Sequence, residues 1–167
     1  MIKSPSQLIL GIDPGLATTG YGLVLKERNK LAHIAFGCIL TPAKQNFIER
    51  LETIHNELEK IIKKYQPQAV AVEALFFCKN VKTALDVSQA RGVILLTAIE
   101  NKLPLYEFTP LEIKQAVTGY GRAEKKQIQK MVKIILDLKE IPEPDDAADA
   151  LAIAICGANS QKLYRKI

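Results

Sequence analysis

Apolar residues come in short unbroken runs early in the chain and at helical spacing further on. Residues 8–13, LILGID, are apolar at nearly every position up to a terminal acid and are followed by Pro14-Gly15. This predicts a buried strand that runs into a turn, with Asp13 at its end. Gly20-Tyr21-Gly22 opens a second strand through Val24, residues 27–30 form a polar turn, and residues 31–40 predict a third strand. The N-terminus therefore reads as an antiparallel meander. Phe47, Leu51, Ile54, Leu58 and Ile61 then recur at helical spacing, with Asn46 as N-cap and Glu49 completing a capping box. Lys60, Lys63 and Lys64 suit the C-terminal end of that helix, and Gln66-Pro67 stops it.

AVAVE at 69–73 is a short apolar strand entered by a crossover, so it predicts a buried parallel sheet with Glu73 at a carboxyl end. Residues 80–101 read as helical, and Arg91-Gly92 in their middle predicts a break or a close packing contact. LPLYEF at 103–108 is a fifth strand candidate. The remainder is helical: a short piece near 110–117, a loop TGYGRAE at 118–124, a helix to about 137 and an acidic, Ala-rich helix from 145. No repeats and no low-complexity segments interrupt this α/β pattern.

A chain of 167 residues is the size of one domain and buries a core without staples, so we expect a single domain over 1–167 with a short basic tail from about 159. Cys38, Cys78 and Cys156 are odd in number and widely spaced in apolar surroundings, as expected of reduced core thiols. MIKSPSQ lacks the apolar run of a secretory signal, and no segment approaches the ~20 apolar residues of a membrane span. A soluble, cytoplasmic protein with no membrane partner is expected. The net charge of +5, with a pI near 9.1, fits a polyanionic ligand, although many soluble proteins are mildly basic.

Set against that positive balance, three segments built for burial carry acids: Asp13, Glu73, and the pair Asp146 and Asp149 within DAADALAIAI. An ionised carboxylate among apolar neighbours costs several kcal/mol, roughly, unless a cation or good hydrogen bonds compensate it. Oxygen-only ligands favour a hard divalent cation, Mg²⁺ or Mn²⁺, and no Cys and His cluster competes for the role. In open α/β sheets ligands gather beyond the carboxyl ends of the strands, where Asp13 and Glu73 meet if their strands are neighbours. Asp146 and Asp149, three apart on a helix, share one face at about 5 to 6 Å. Two ions roughly 3.5 to 4 Å apart stabilise both the attacking water and the departing oxygen at phosphorus, which points to metal-assisted phosphodiester hydrolysis with Asp13 bridging.

Each acid also has an ordinary structural explanation. Asp before Pro-Gly is a good turn residue, and Asp145 and Asp146 follow Pro144 where acids cap a helix and favour its dipole. Glu73 and Asp149 are harder to explain this way, because a strand of Ala and Val and the interior of an Ala-rich helix gain nothing from an acid. Spacing alone does not choose between Asp145 and Asp146 as the partner of Asp149.

GIDPG with GYG following, VEALFF with Lys79-Asn80, QARG at 89–92, AEKKQIQKMV at 123–132 and DAADALAIA occur together in order. With these motifs the chain resembles the RuvC family of bacterial Holliday junction resolvases, from about residue 8 to 158. The resemblance implies a ribonuclease-H-like fold with a five-stranded mixed sheet flanked by helices. It also implies a homodimer that nicks two strands of a four-way DNA junction symmetrically, and a branch-migration complex of RuvA and RuvB as partner. By motif it assigns Asp13, Glu73, Asp146 and Asp149 as the catalytic, metal-binding quartet, leaving Asp145 as an extra acid. Phe76 becomes a base-stacking residue, and Lys114 and Lys125 become phosphate contacts.

Arg122, in the loop before the 125 helix, is a further DNA candidate. Lys126, Lys130 and Lys133 continue as a stripe that a solvated helix face explains as well. Residues 80–101 are the expected dimer element, because Val87, Val93, Ile94, Leu95 and Leu96 exceed what one helix face needs, although core burial explains them nearly as well. Two other readings compete. A phosphotransferase of the actin and sugar-kinase type also begins with strand, Asp and Gly-rich hairpin, but needs two such domains. A DNA-structure binding module would hold these acids for structure alone.

Overall fold

The computed structural model describes residues 6–74 and 81–160, which form ten elements: β1 (Gln7–Asp13), β2 (Thr18–Glu27), β3 (Lys30–Leu40), α1 (Phe47–Tyr65), β4 (Ala69–Glu73), α2 (Val81–Glu100), β5 (Leu105–Phe108), α3 (Pro110–Thr118), α4 (Lys125–Ile135) and α5 (Asp145–Asn159). The strands make one sheet in the order β3-β2-β1-β4-β5. β1, β2 and β3 are antiparallel neighbours, while β4 runs parallel to both β1 and β5. The expected meander followed by a parallel half is present. β2 is longer than expected, because its pairing with β3 continues to Glu27↔Lys30 and closes on a tight turn with Arg28 at φ 56°.

Helices cover both faces. Ile9, Ala69 and Ala71 point to one core, shared with α3, α4 and α5. Leu10, Ile12, Val70 and Val72 point to the other, shared with α1 and α2. That two-sided burial explains why LILGID and AVAVE show no polar alternation. α1 begins on the expected capping box, with Glu49 N–H donating to Asn46 Oδ1 and Asn46 N–H to Glu49 Oε2.

The break expected at Arg91-Gly92 does not occur: α2 is one helix over Val81–Glu100, and a Cβ on Gly92 would meet nothing within 4 Å. Ala90, Ile94 and Ala98 are buried along one side and hold the helix on the sheet despite the glycine. Tertiary packing overrides a propensity cost of about 1 kcal/mol.

α5 is the element that shapes the molecule. Residues 147–158 are buried except for Asp149, which is half-buried. It lies directly on the backbones of β1 and β2. A Cβ on Gly11 would stand 2.2 Å from the Ala150 carbonyl oxygen, and one on Gly22 would stand 2.8 Å from the Leu151 nitrogen. Cys38 is half-buried and Cys156 buried, neither in a disulfide; Cys78 lies outside the described residues.

Candidate functional site

Asp13 ends β1 and Glu73 ends β4, one residue beyond the Ile12↔Val72 pair of two adjoining parallel strands. Asp13 is also paired with Gly20 on β2. Gly20 in turn abuts the first turn of α5, where a Cβ would lie 2.0 Å from the Asp146 carbonyl oxygen. Strand ends and helix thus bring Asp13, Glu73, Asp146 and Asp149 to one place.

Their electrostatics record the convergence. Burial pushes the Asp13 carboxyl up from 3.8 to about 8, with the charges of Asp149, Glu73 and Asp146 adding to the rise. Glu73 is raised by burial and then by Asp149, against a lowering pull from Lys114. Asp149 is raised by burial, with Asp145 and Asp146 adding, while its hydrogen bond from Lys125 holds the rise back. Like charges sharing one partly desolvated site cannot all ionise without a compensating cation.

Lys125 supplies part of that charge. Its Nζ donates to Asp149 Oδ2 at 3.0 Å and to Asp145 Oδ2 at 3.1 Å. Burial disfavours its charge, but the hydrogen bonds from it to Asp149 and Asp145 prevail and raise its pKa. Beside it a cleft of about 190 Å³ is lined by Glu73, Asp149, Lys114 and Lys125 over Ile113 and Ile153. Two anions and two cations around one open cleft suit a phosphate whose ester bond is attacked next to a metal.

Among the described residues, no three His, Cys, Asp or Glu side chains stand ready-made as a coordination sphere. The donor set nevertheless fits a hard divalent cation: every donor is a carboxylate oxygen, and the surplus negative charge is what such an ion offsets.

The other sequence candidates divide. Lys114, on α3, lines the cleft. Arg122 is exposed in the turn between α3 and α4 and does not line the cleft. Phe76 lies outside the described residues, as do Phe77 and Lys79. Of the lysine stripe, Lys126 and Lys130 are exposed and Lys133 is half-buried, while Val132 is buried on the other side of α4.

Two contacts were not foreseen. Asp145 makes no helix cap; it accepts from Gln129 Nε2 at 2.9 Å and from Lys125. Arg91 pairs with Glu107 and donates to the Glu73 carbonyl, a contact for which the sequence carries no signal beyond an Arg in a helix near a strand end.

A ribonuclease-H-like sheet, with acids at the carboxyl ends of adjoining strands and on the helix laid across them, defines a nuclease of that fold class. The family model described as crossover junction endodeoxyribonuclease RuvC matches residues 9–157. The crossover junction endodeoxyribonuclease RuvC of Halothermothrix orenii is 58% identical over 159 residues, covering 95% of this chain and 96% of that protein. That of Desulfitobacterium hafniense is 56% identical over 160 residues, covering 96% and 97%. Thermus thermophilus RuvC, solved in complex with a Holliday junction substrate, superposes with a TM-score of 0.86 at 37% identity, covering 91% of this chain and 93% of that one. The yeast mitochondrial resolvase Ydc2, at 15% identity and a TM-score of 0.68, shares the fold. The chain belongs to the RuvC family, and it is an endodeoxyribonuclease of the Holliday junction resolvase type.

Proposed function

We propose that this chain resolves Holliday junctions as a homodimer, by paired symmetric nicks through divalent-metal-dependent phosphodiester hydrolysis. The observation that carries the reading is the convergence of Glu73, Asp146 and Asp149 on Asp13, whose carboxyl is pushed up to about 8 by burial first and then by those three charges. Asp13, Glu73, Asp146 and Asp149 would hold Mg²⁺, or Mn²⁺ in its place, as two ions per subunit. Bound there, the ions supply an activated water and offset charge on the departing sugar oxygen.

The protein's own groups do the positioning. Lys114 and Lys125, which both line the cleft, bind the phosphate oxygens next to the bond that breaks. Lys125, which pairs with Asp149 and Asp145, would have to give up the Asp149 contact to reach a phosphate, and Asp13 would have to be ionised to hold an ion. Arg122 approaches the flanking DNA backbone, and Phe76, which follows β4 by three residues, stacks on an unpaired base at the crossover.

Two equivalent nicks on a pseudo-two-fold junction call for two active sites related by a two-fold axis. α2 supports such a pairing, though of the residues singled out by sequence only Leu96 takes part. Of that set Ile94 is buried, Val87, Val93 and Leu95 are half-buried, and Leu96 alone is exposed. Leu96 joins Leu85 and Ile99, 58% and 65% exposed, in a stripe that also holds the open Gly92. A glycine in mid-helix that packs on nothing in its own subunit leaves room for a second helix to cross closely.

Family membership extends the reading to a branch-migration complex of RuvA and RuvB as partner and to the bacterial cytoplasm as location. Among the described residues no helix is long and apolar enough to cross a membrane. We read the chain as one nuclease domain with a basic tail. The test is direct: purified protein, a synthetic four-way junction and a linear duplex control, with and without Mg²⁺. Symmetric nicks in the junction alone, only with the ion, are expected; equal cutting of the duplex, or cutting in chelator, would overturn the reading.

A further inference from the structure

We propose that Arg91 is a positioning residue that fixes the end of β4 so that Glu73 presents its carboxylate correctly to a metal; this rests on the reading of Glu73 as a metal ligand. Arg91 lies at the middle of α2, and its side chain is only 14% exposed. Its Nη2 stands 2.7 Å from Glu107 Oε1, and its Nε donates a long hydrogen bond of 3.4 Å to the Glu73 carbonyl oxygen. Glu107 belongs to β5, where it pairs with Val72, the residue before Glu73. One guanidinium therefore joins three elements, the helix and two adjoining strands, at the level of the site.

The contact falls at the end of the β4 strand. Glu73 is the last residue of β4, and Ala74 N–H to the Phe108 carbonyl continues the pairing by one bond more. Arg91 acts on the backbone there. The Glu73 carboxylate itself feels Lys114 and Asp149. A guanidinium presents several donors in a rigid planar fork and serves both oxygens at once, whereas a lysine ammonium, on a flexible stem, keeps the charge and loses the geometry. Buried Ala90 and Ile94 flank Arg91 and set the height of the helix over the strands. Without the fork, the carboxylate at the strand end is free to shift by the fraction of an ångström that metal ligation does not tolerate.

The test is Mn²⁺ binding to the full-length, DNA-free protein, followed by electron paramagnetic resonance, with melting temperature and junction cleavage against Mn²⁺ concentration alongside. Arg91→Lys and Glu107→Gln, which keep volume and most of the packing, are the working variants, Arg91→Ala is the severe one, and Glu73→Gln is the reference. We expect Arg91→Lys and Arg91→Ala to weaken Mn²⁺ binding about tenfold or more, and Glu107→Gln in the same direction. Cleavage by Arg91→Lys should return toward the parent rate at saturating Mn²⁺, and its melting temperature should change little. If Glu73→Gln weakens binding while Arg91→Lys and Glu107→Gln bind Mn²⁺ as the parent does, Arg91 is structural only and the proposal fails, whatever happens to the melting temperature. If Glu73→Gln itself binds Mn²⁺ normally, the ligand reading of Glu73 fails and the proposal falls with it.

Discussion

Gly20 stands against the backbone of Asp146 so closely that a Cβ on the glycine would lie 2.0 Å from the Asp146 carbonyl oxygen. Because Gly20 is also the strand partner of Asp13, a missing side chain is what lets a helical acid reach a strand-end acid. Gly20→Ala must therefore push the start of α5 outward. We expect a loss of about 1 to 3 kcal/mol in stability, measured by urea unfolding. Cleavage should fall by about a hundredfold even where the protein remains folded, since small misplacements in a reacting centre are costly.

Asp13→Asn separates stability from activity. In the metal-free protein the Asp13 carboxyl keeps its proton up to about 8, whereas in the unfolded chain it loses it near 3.8. Between those values the folded state binds the extra proton, so the destabilising contribution of Asp13 is absent below 3.8 and grows as pH rises toward about 8. The amide removes that penalty. Melting in chelator should show Asp13→Asn gaining on the parent as pH rises from 5 to 8, by an amount on the order of a few kcal/mol at the upper end. Junction cleavage should be lost, and junction binding kept.

Lys125→Met removes the cation that lowers both Asp149 and Asp13. Both carboxyls should then rise further, so the Mg²⁺-dependent cleavage profile is expected to move to higher pH. Junction affinity should also fall and lose part of its salt dependence, as one phosphate contact disappears. A profile that stays in place would remove Lys125 from the electrostatics of the site.

Gly92→Ala tests the dimer face. A Cβ there meets nothing in the subunit, so the helix should gain about 0.5 to 1 kcal/mol in local stability. If a second copy crosses at this point the dimer should weaken, and sedimentation would show more monomer at micromolar concentration. An unchanged dimer would place the interface elsewhere.

Much of this was readable from residue patterns. The apolar runs of β1 and β4 marked both as buried strands, though not as neighbours, and acids in such runs were conspicuous because burial without compensation is costly. Asn46 and Glu49 announced the start of α1 through local chemistry alone. What depends on neighbours distant in sequence stayed hidden. The glycines of GYG looked like strand and turn residues, yet Gly20 and Gly22 serve as the floor for α5, set by residues more than a hundred positions away. Gly92 read as a helix break because propensity is local, and buried Ala90, Ile94 and Ala98 outweigh it. The ion pairs of Arg91 with Glu107 and of Asp145 with Lys125 gave no signal, since a salt bridge between elements leaves no periodicity behind.

The most direct measurement is an anomalous difference map from crystals grown with Mn²⁺ near pH 8, where Asp13 gives up its proton readily. Density is expected among Asp13, Glu73, Asp146 and Asp149, with the Lys125 ammonium withdrawn from Asp149. Density confined to other surfaces, with Lys125 still bound between Asp145 and Asp149, would contradict a shared metal site.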